Sequence, residues 1–251
     1  MRRLFIILLA IGGGGVIAFF FFSVPLGEEK KVGESAKVKM GSGTDFAGAK
    51  TEPDPPRISG MVVPHHEIVA SRRAEMFRVV GKRFDDAHQP PTIILIGPNH
   101  FERGFGWIQT TRQTWSTSAG ALEPDGDLID TLIAQTSVRE EAQSFDGEHS
   151  ITTIIRNIKE TFPAARVVPL IVKMEAPHQD MRELTSVLAE QCPRCFVVAS
   201  VDFSHYQPVA LADLHDRLTL RALEERNEDL FLQKSEADAP PVLAFFARWA
   251  Q

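Results

Sequence analysis

Five of the eight histidines fall in four short segments that also carry carboxylates or hydroxyls. They are Pro64-His65-His66-Glu67, Gly97-Pro98-Asn99-His100, Asp146-Gly147-Glu148-His149 and Val201-Asp202-Phe203-Ser204-His205-Tyr206. Imidazole and carboxylate together suit Fe(II), Zn(II) or Mn(II), and a spare His or Glu beside such an ion can move protons. Each residue alone has a plainer reading. A single His at a strand end is more often a hydrogen-bonded loop residue than a ligand. Gly97-Pro98 alone is a turn, and Asp202 alone is a loop or capping residue. The combination points to a metal or acid–base site, because unrelated loops have no structural reason to share these types at one edge. His88, His178 and His215 lie in other contexts and read as solvated.

To converge, these segments need a scaffold, and the chain between them reads as alternating strand and helix. Ile58–Val63, Thr92–Ile96, Arg166–Val172 and Phe196–Ser200 are short apolar runs, as expected of strands buried on both faces. Between them lie helical stripes: Phe77, Val80 and Phe84; Leu128, Ile129, Leu132 and Ile133; Met181, Leu184 and Leu188; Leu211, Leu214, Leu218 and Leu223. Ile151, Ile154, Ile155, Ile158 and Phe162 make the cleanest apolar face, with Ser150 as its expected N-cap. The pattern predicts an α/β fold, a single sheet-centred domain with helices on both faces. In open α/β sheets ligands lie beyond the carboxyl ends of the strands, which is where three of the four segments fall.

The chain has 251 residues, 27 Lys+Arg against 33 Asp+Glu, and a formal charge of −6. A mildly acidic chain has no counterion-release drive towards phosphate backbones, so no nucleic-acid partner is expected. The averages conceal an unusual N-terminus. After Met1-Arg2-Arg3, residues Leu4 to Leu26 carry no charge, a run of 23. About 20 apolar residues suffice to cross a bilayer as a helix. Residues 1–26 are therefore expected to be a transmembrane anchor, with a cleaved signal peptide as the rival although no small-x-small site follows. The two arginines before the run favour a single-pass protein of the cytoplasmic membrane, its body extracytoplasmic; cleavage would make it secreted. Gly12–Gly15 lowers helix propensity and divides the stretch. Residues 27–57 read as a flexible linker ending in Pro53-Asp54-Pro55-Pro56. Residues 58–251 read as one domain.

At the four segments the chain resembles the Memo family, whose prokaryotic members are called AmmeMemoRadiSam system protein B. The matching pieces are Val63-Pro64-His65, Ile96-Gly97-Pro98-Asn99-His100, Gly147-Glu148-His149-Ser150-Ile151 and Ser200-Val201-Asp202-Phe203-Ser204-His205-Tyr206, in the family's order. The resemblance runs from about Gly60 to about Leu243. It implies a fold similar to LigB-type extradiol dioxygenases and a metal pocket at one end of the sheet. It also implies a pathway link to AMMECR-like and radical-SAM proteins. By the same resemblance the family's two metal-binding histidines fall on His65 and His100, and its third pocket histidine on His149. The family's third metal ligand, a Cys in animal members, falls on Ser204. A neutral hydroxyl is a poor ligand for soft ions, which weakens the case for copper. Fe(II) is the first candidate cofactor, completed by a carboxylate from Asp202 or Glu148, with copper or zinc as alternatives. His149 or His205 would take the catalytic acid–base role. The family usually continues beyond Ala239-Pro240-Pro241 through a helix and a further strand, whereas this sequence ends at Gln251.

Two function classes follow. One is a membrane-anchored Memo-like oxidoreductase or dioxygenase of the non-haem iron type. The other is a non-catalytic adaptor that uses the same pocket to bind a small molecule or peptide. Cys192 and Cys195, the only cysteines, precede a strand instead of opening a helix, which argues against a thioredoxin-type dithiol. They read as two loop thiols, or as a local disulfide if the body lies outside the cytoplasm.

Overall fold

The computed structural model describes residues 3–9, 18–23, 57–85 and 88–251. The expected strands form the middle of a mixed sheet. In chain order the strands are β1 (Arg3–Leu9), β2 (Ala18–Ser23), β3 (Arg57–Val63), β4 (Thr92–Pro98), β5 (Ile108–Thr110), β6 (Trp115–Thr117), β7 (Gly120–Leu122), β8 (Arg139–Glu140), β9 (Arg166–Val172) and β10 (Phe196–Ser200). The helices are α1 (Ala70–Gly81), α2 (Gly126–Gln135), α3 (His149–Thr161), α4 (His178–Gln191), α5 (Val209–Glu225), α6 (Glu228–Lys234) and α7 (Pro240–Trp249). The main sheet runs β2-β1-β3-β10-β4-β9-β5-β8, and β6-β7 is a separate hairpin. β3, β10, β4 and β9 are mutually parallel, so their carboxyl ends share one edge.

β4 shows why these runs lack alternation. Ile94 and Ile96 belong to one buried cluster, with α4 and α7, and Ile93 and Leu95 to the other, with α1 and α3. Both faces are covered, so the four positions from Ile93 to Ile96 are all apolar. α3 buries Ile151, Ile154, Ile155 and Ile158 as its spacing predicts. α1 ends at Gly81, so Phe84 lies beyond it, yet its ring still packs on Phe162 at 5.4 Å and Phe196 at 5.6 Å. α7 is buried along most of its length, and the Trp249 indole N–H donates to the Ser59 carbonyl at 2.9 Å. Each large apolar side chain buried in this way contributes roughly 1.5–3 kcal/mol. Gly60 permits that packing, since a Cβ there would meet Phe246 Cε2 at 2.8 Å and the Val197 carbonyl oxygen at 2.9 Å.

The N-terminal expectation is corrected. Among the described residues no helix is long and apolar enough to cross a membrane. The described parts of the apolar run are strands: β1 pairs antiparallel with β2 and parallel with β3. The single-pass anchor and the cytoplasmic-membrane placement built on it are therefore withdrawn. An uncharged apolar run satisfies the length rule for a spanning helix and equally the composition of sheet strands, and here pairing with β3 decides. The linker expected at 27–57 lies outside the described residues except for Arg57, which begins β3. Cys192 and Cys195 are joined as a disulfide between α4 and β10, the second of the two states open from the sequence.

Candidate metal centre

Three parallel strands end in the expected residues. β3 runs into Pro64-His65, β4 into Asn99-His100 and β10 into Val201-Asp202. Two small serines and a glycine let α3 start against this edge. The Ser150 hydroxyl donates to the Pro98 carbonyl at 2.9 Å, and the Ser200 hydroxyl to the Ser150 carbonyl at 2.6 Å. A Cβ on Gly97 would sit 2.8 Å from Ser150 Cβ and 3.2 Å from the Ser200 carbonyl oxygen, so a larger residue would push the start of α3 off the sheet. The N-cap of α3 is Glu148 and not the expected Ser150: the Glu148 carboxylate accepts the Ser150 amide at 3.0 Å.

The rings are set by their outer nitrogens. His65 is buried and its Nδ1 lies 3.1 Å from Ser200 Oγ. The one hydroxyl hydrogen of Ser200 is committed to the Ser150 carbonyl, so Ser200 can only accept. His65 Nδ1 therefore carries the hydrogen, and Nε2 is left facing inward. His100 follows the same logic: its Nδ1 lies 2.7 Å from Glu148 Oε1, and its amide donates to Glu148 Oε2 at 2.9 Å. Both Glu148 oxygens are thus engaged by neighbours, and Glu148 orients His100 from behind.

Two carboxylates complete the centre. Asp202 Oδ1 accepts the amides of His65 at 2.8 Å and His66 at 3.2 Å, which leaves Oδ2 3.6 Å from His65 Nε2. Asp238, on the loop between α6 and α7, accepts the Asp202 amide at 3.1 Å through Oδ1. Its Oδ2 lies 3.0 Å from His65 Nε2 and 3.5 Å from His100 Nε2. Ligand atoms of His65, His100 and His149 lie within 4.8 Å of one another, as do those of His65, Asp202 and Asp238. His149 stacks on His100 with ring centroids 4.0 Å apart and is half-exposed.

The electrostatics match this arrangement. Burial opposes charge on His100, but hydrogen bonds and charge from Asp238 and Glu148 overcome it and push the ring up to about 9. Burial likewise opposes ionisation of Asp238 and Glu148, yet the histidines hold both carboxyls below their usual range. His149 is pulled down by burial and by the neighbouring His100 and His65. His65 Nε2 faces the Asp238 carboxylate oxygen at 3.0 Å, a contact that either a proton on the nitrogen or a metal ion held by both atoms satisfies. The donor set, imidazole nitrogens and hard carboxylate oxygens, fits a divalent ion of the Fe(II), Zn(II) or Mn(II) type.

The sequence-derived set divides here. His65, His100, His149, Asp202 and Glu148 come together. His205 is exposed beyond this group, with its Nδ1 2.9 Å from the Phe203 carbonyl and its ring against Tyr206. Ser204 is tied towards α5, its amide donating to Asp216 Oδ1 at 3.0 Å. Asp238 was missed. Its only local signal is an acid flanked by Ala237 and Ala239 immediately before an apolar, proline-led helix.

Comparison with known proteins agrees with the resemblance. The family described as Memo-like protein matches residues 44–239. A MEMO1 family protein of Caldivirga maquilingensis is 27% identical over 180 residues, covering 69% of this chain and 62% of that protein. One from Pyrobaculum arsenaticum is 31% identical over 124 residues, covering 48% of this chain and 44% of its own length. The chain thus spans less than two thirds of these curated relatives. The crystal structure of uncharacterized protein JW3007 from Escherichia coli K12 superposes with a TM-score of 0.48 at 14% identity, covering 71% of this chain and 80% of that one; so slight a likeness carries no argument.

Proposed function

This chain belongs to the Memo-like family, and from that premise we propose that its pocket is a mononuclear divalent-metal centre serving an oxidoreductase of the extradiol-dioxygenase type. The single observation that carries the reading is the convergence of two histidine Nε2 atoms on one Asp238 oxygen, at 3.0 and 3.5 Å. His65 and His100 would hold the ion through Nε2, with Asp238 and Asp202 as the carboxylate ligands. Fe(II) suits two histidines and a carboxylate with open positions, and zinc is the next ion this set accommodates. When bound, such an ion supplies a Lewis-acidic site at which an oxygen-containing substrate is polarised.

The chain's own residues do the remainder. Ser200 and Glu148 fix the two ring orientations from behind. His149 stands half-exposed beside the centre, and burial together with the neighbouring His100 and His65 lowers its pKa, which favours the neutral ring. A neutral imidazole there can accept a proton from a substrate hydroxyl and later return it. The test is oxygen consumption by the full chain, loaded anaerobically with Fe(II) and offered catechol-like substrates. A His149→Ala protein with unchanged iron content should lose about 100-fold or more in rate. Undiminished turnover in that variant would remove the acid–base role. Iron bound without turnover in the parent protein would leave a binding module.

A further inference from the structure

Among the described residues, one buried charge is not used by the metal site itself. Arg73, on α1, has 3% of its surface exposed. Its Nη1 donates to the carbonyls of Pro64 and His66, both at 3.2 Å, the two residues that flank His65. Nη2 donates to Glu67 at 3.2 Å, and Nε to the Asn157 side chain on α3 at 3.3 Å. The turn's backbone accounting explains why a cation is placed there. Pro64 has no N–H, and the amides of His65 and His66 both go to Asp202. The Pro64 carbonyl takes its donor from Arg73, and the His66 carbonyl accepts from Arg73 and from the Val69 amide at 3.2 Å. The turn is held between an acid in front and a guanidinium behind.

From this we infer that Arg73 is a positioning residue that fixes the orientation of His65 and ties its turn to α3, the helix that begins with His149. Its functional meaning rests on the metal reading above. A planar fork is required, because it bridges two carbonyls while its Nε reaches Asn157; a lysine ammonium keeps the charge but not that spread of directions. Arg73→Lys therefore separates geometry from charge, and Asn157→Ala removes one contact and leaves the guanidinium in place.

The experiment uses the full chain and three readouts: Co(II) titration followed by its visible absorption, the nitrogen resonances of the His65 ring in metal-free protein, and thermal unfolding. Arg73→Lys, folded, should bind Co(II) about 10- to 100-fold more weakly, and its His65 Nδ1, protonated throughout in the parent because Ser200 can only accept, should become partly bare. Asn157→Ala should move both readouts in the same direction by less. Lower thermal stability with an unchanged His65 ring and unchanged Co(II) affinity of the folded protein would reduce Arg73 to a structural residue and overturn the inference. Full recovery by lysine would overturn the geometric requirement. Should the parent protein take up no Co(II), the metal reading fails on its own account, and the His65 ring measurement still decides the role of Arg73.

Discussion

An Asp238→Asn protein is expected to bind Fe(II) or Co(II) at least about 100-fold more weakly than the parent, whereas Ser204→Ala leaves affinity unchanged. Asparagine is the informative replacement. Its side-chain oxygen can still accept the Asp202 amide, now served at 3.1 Å by Oδ1, so the loop should stay in place. What disappears is the anionic oxygen facing His65 Nε2 at 3.0 Å and His100 Nε2 at 3.5 Å. Equilibrium titration of both variants checks this. Loss on Ser204→Ala with retention on Asp238→Asn would reverse the ligand assignment.

The second large effect is on pH. His100 is pushed up to about 9 in the folded metal-free protein by Asp238 and Glu148, against the opposing effect of burial, while an unfolded histidine titrates near 6.5. Its folded pKa is raised, so the stability it contributes is fully present below about pH 6.5 and is lost as pH rises through about 9. Asp238 and Glu148 shift the other way, and their contributions fade only in acid, below the usual carboxylate range. From pH 6.5 to 9 the metal-free protein should therefore melt at progressively lower temperature. A metal ion needs the bare Nε2 of His100, so binding must displace that proton. Affinity should rise about tenfold per pH unit, or about 100-fold from pH 6.5 to 8.5. The melting-temperature gap between metal-loaded and metal-free protein should widen across this window. Scanning both forms at three pH values tests it, and a constant or narrowing gap would contradict proton displacement at His100.

Much of this was legible in the sequence because it rests on local pattern. Runs such as Thr92–Ile96 and Phe196–Ser200 are continuous and apolar since both faces of the sheet are covered, and the Ile151–Ile158 stripe carries a helical period. His65, His100 and Asp202 were readable because each directly follows such a strand, and parallel strands bring their ends to one edge. The remainder depends on distant contacts. β5 and β8 are too short to leave a pattern. Glu148 and Asp202 could be chosen as carboxylates by proximity in sequence to a histidine, but only the packing of α7 brings Asp238 to His65. Glu148 also shows that a residue type does not fix a role: the same carboxylate caps α3 and aligns His100. The N-terminal apolar run misled because hydropathy alone is indifferent to helix or strand.

The central claim is that this edge of the sheet holds one metal ion through His65 and His100. Elemental analysis of the full chain, purified without oxygen beside a His65→Ala/His100→Ala protein, tests it most directly. About one equivalent of iron in the parent, absent from the folded variant, is the predicted result. Metal-free protein in both cases, or equal metal in both with the fold intact, would contradict it.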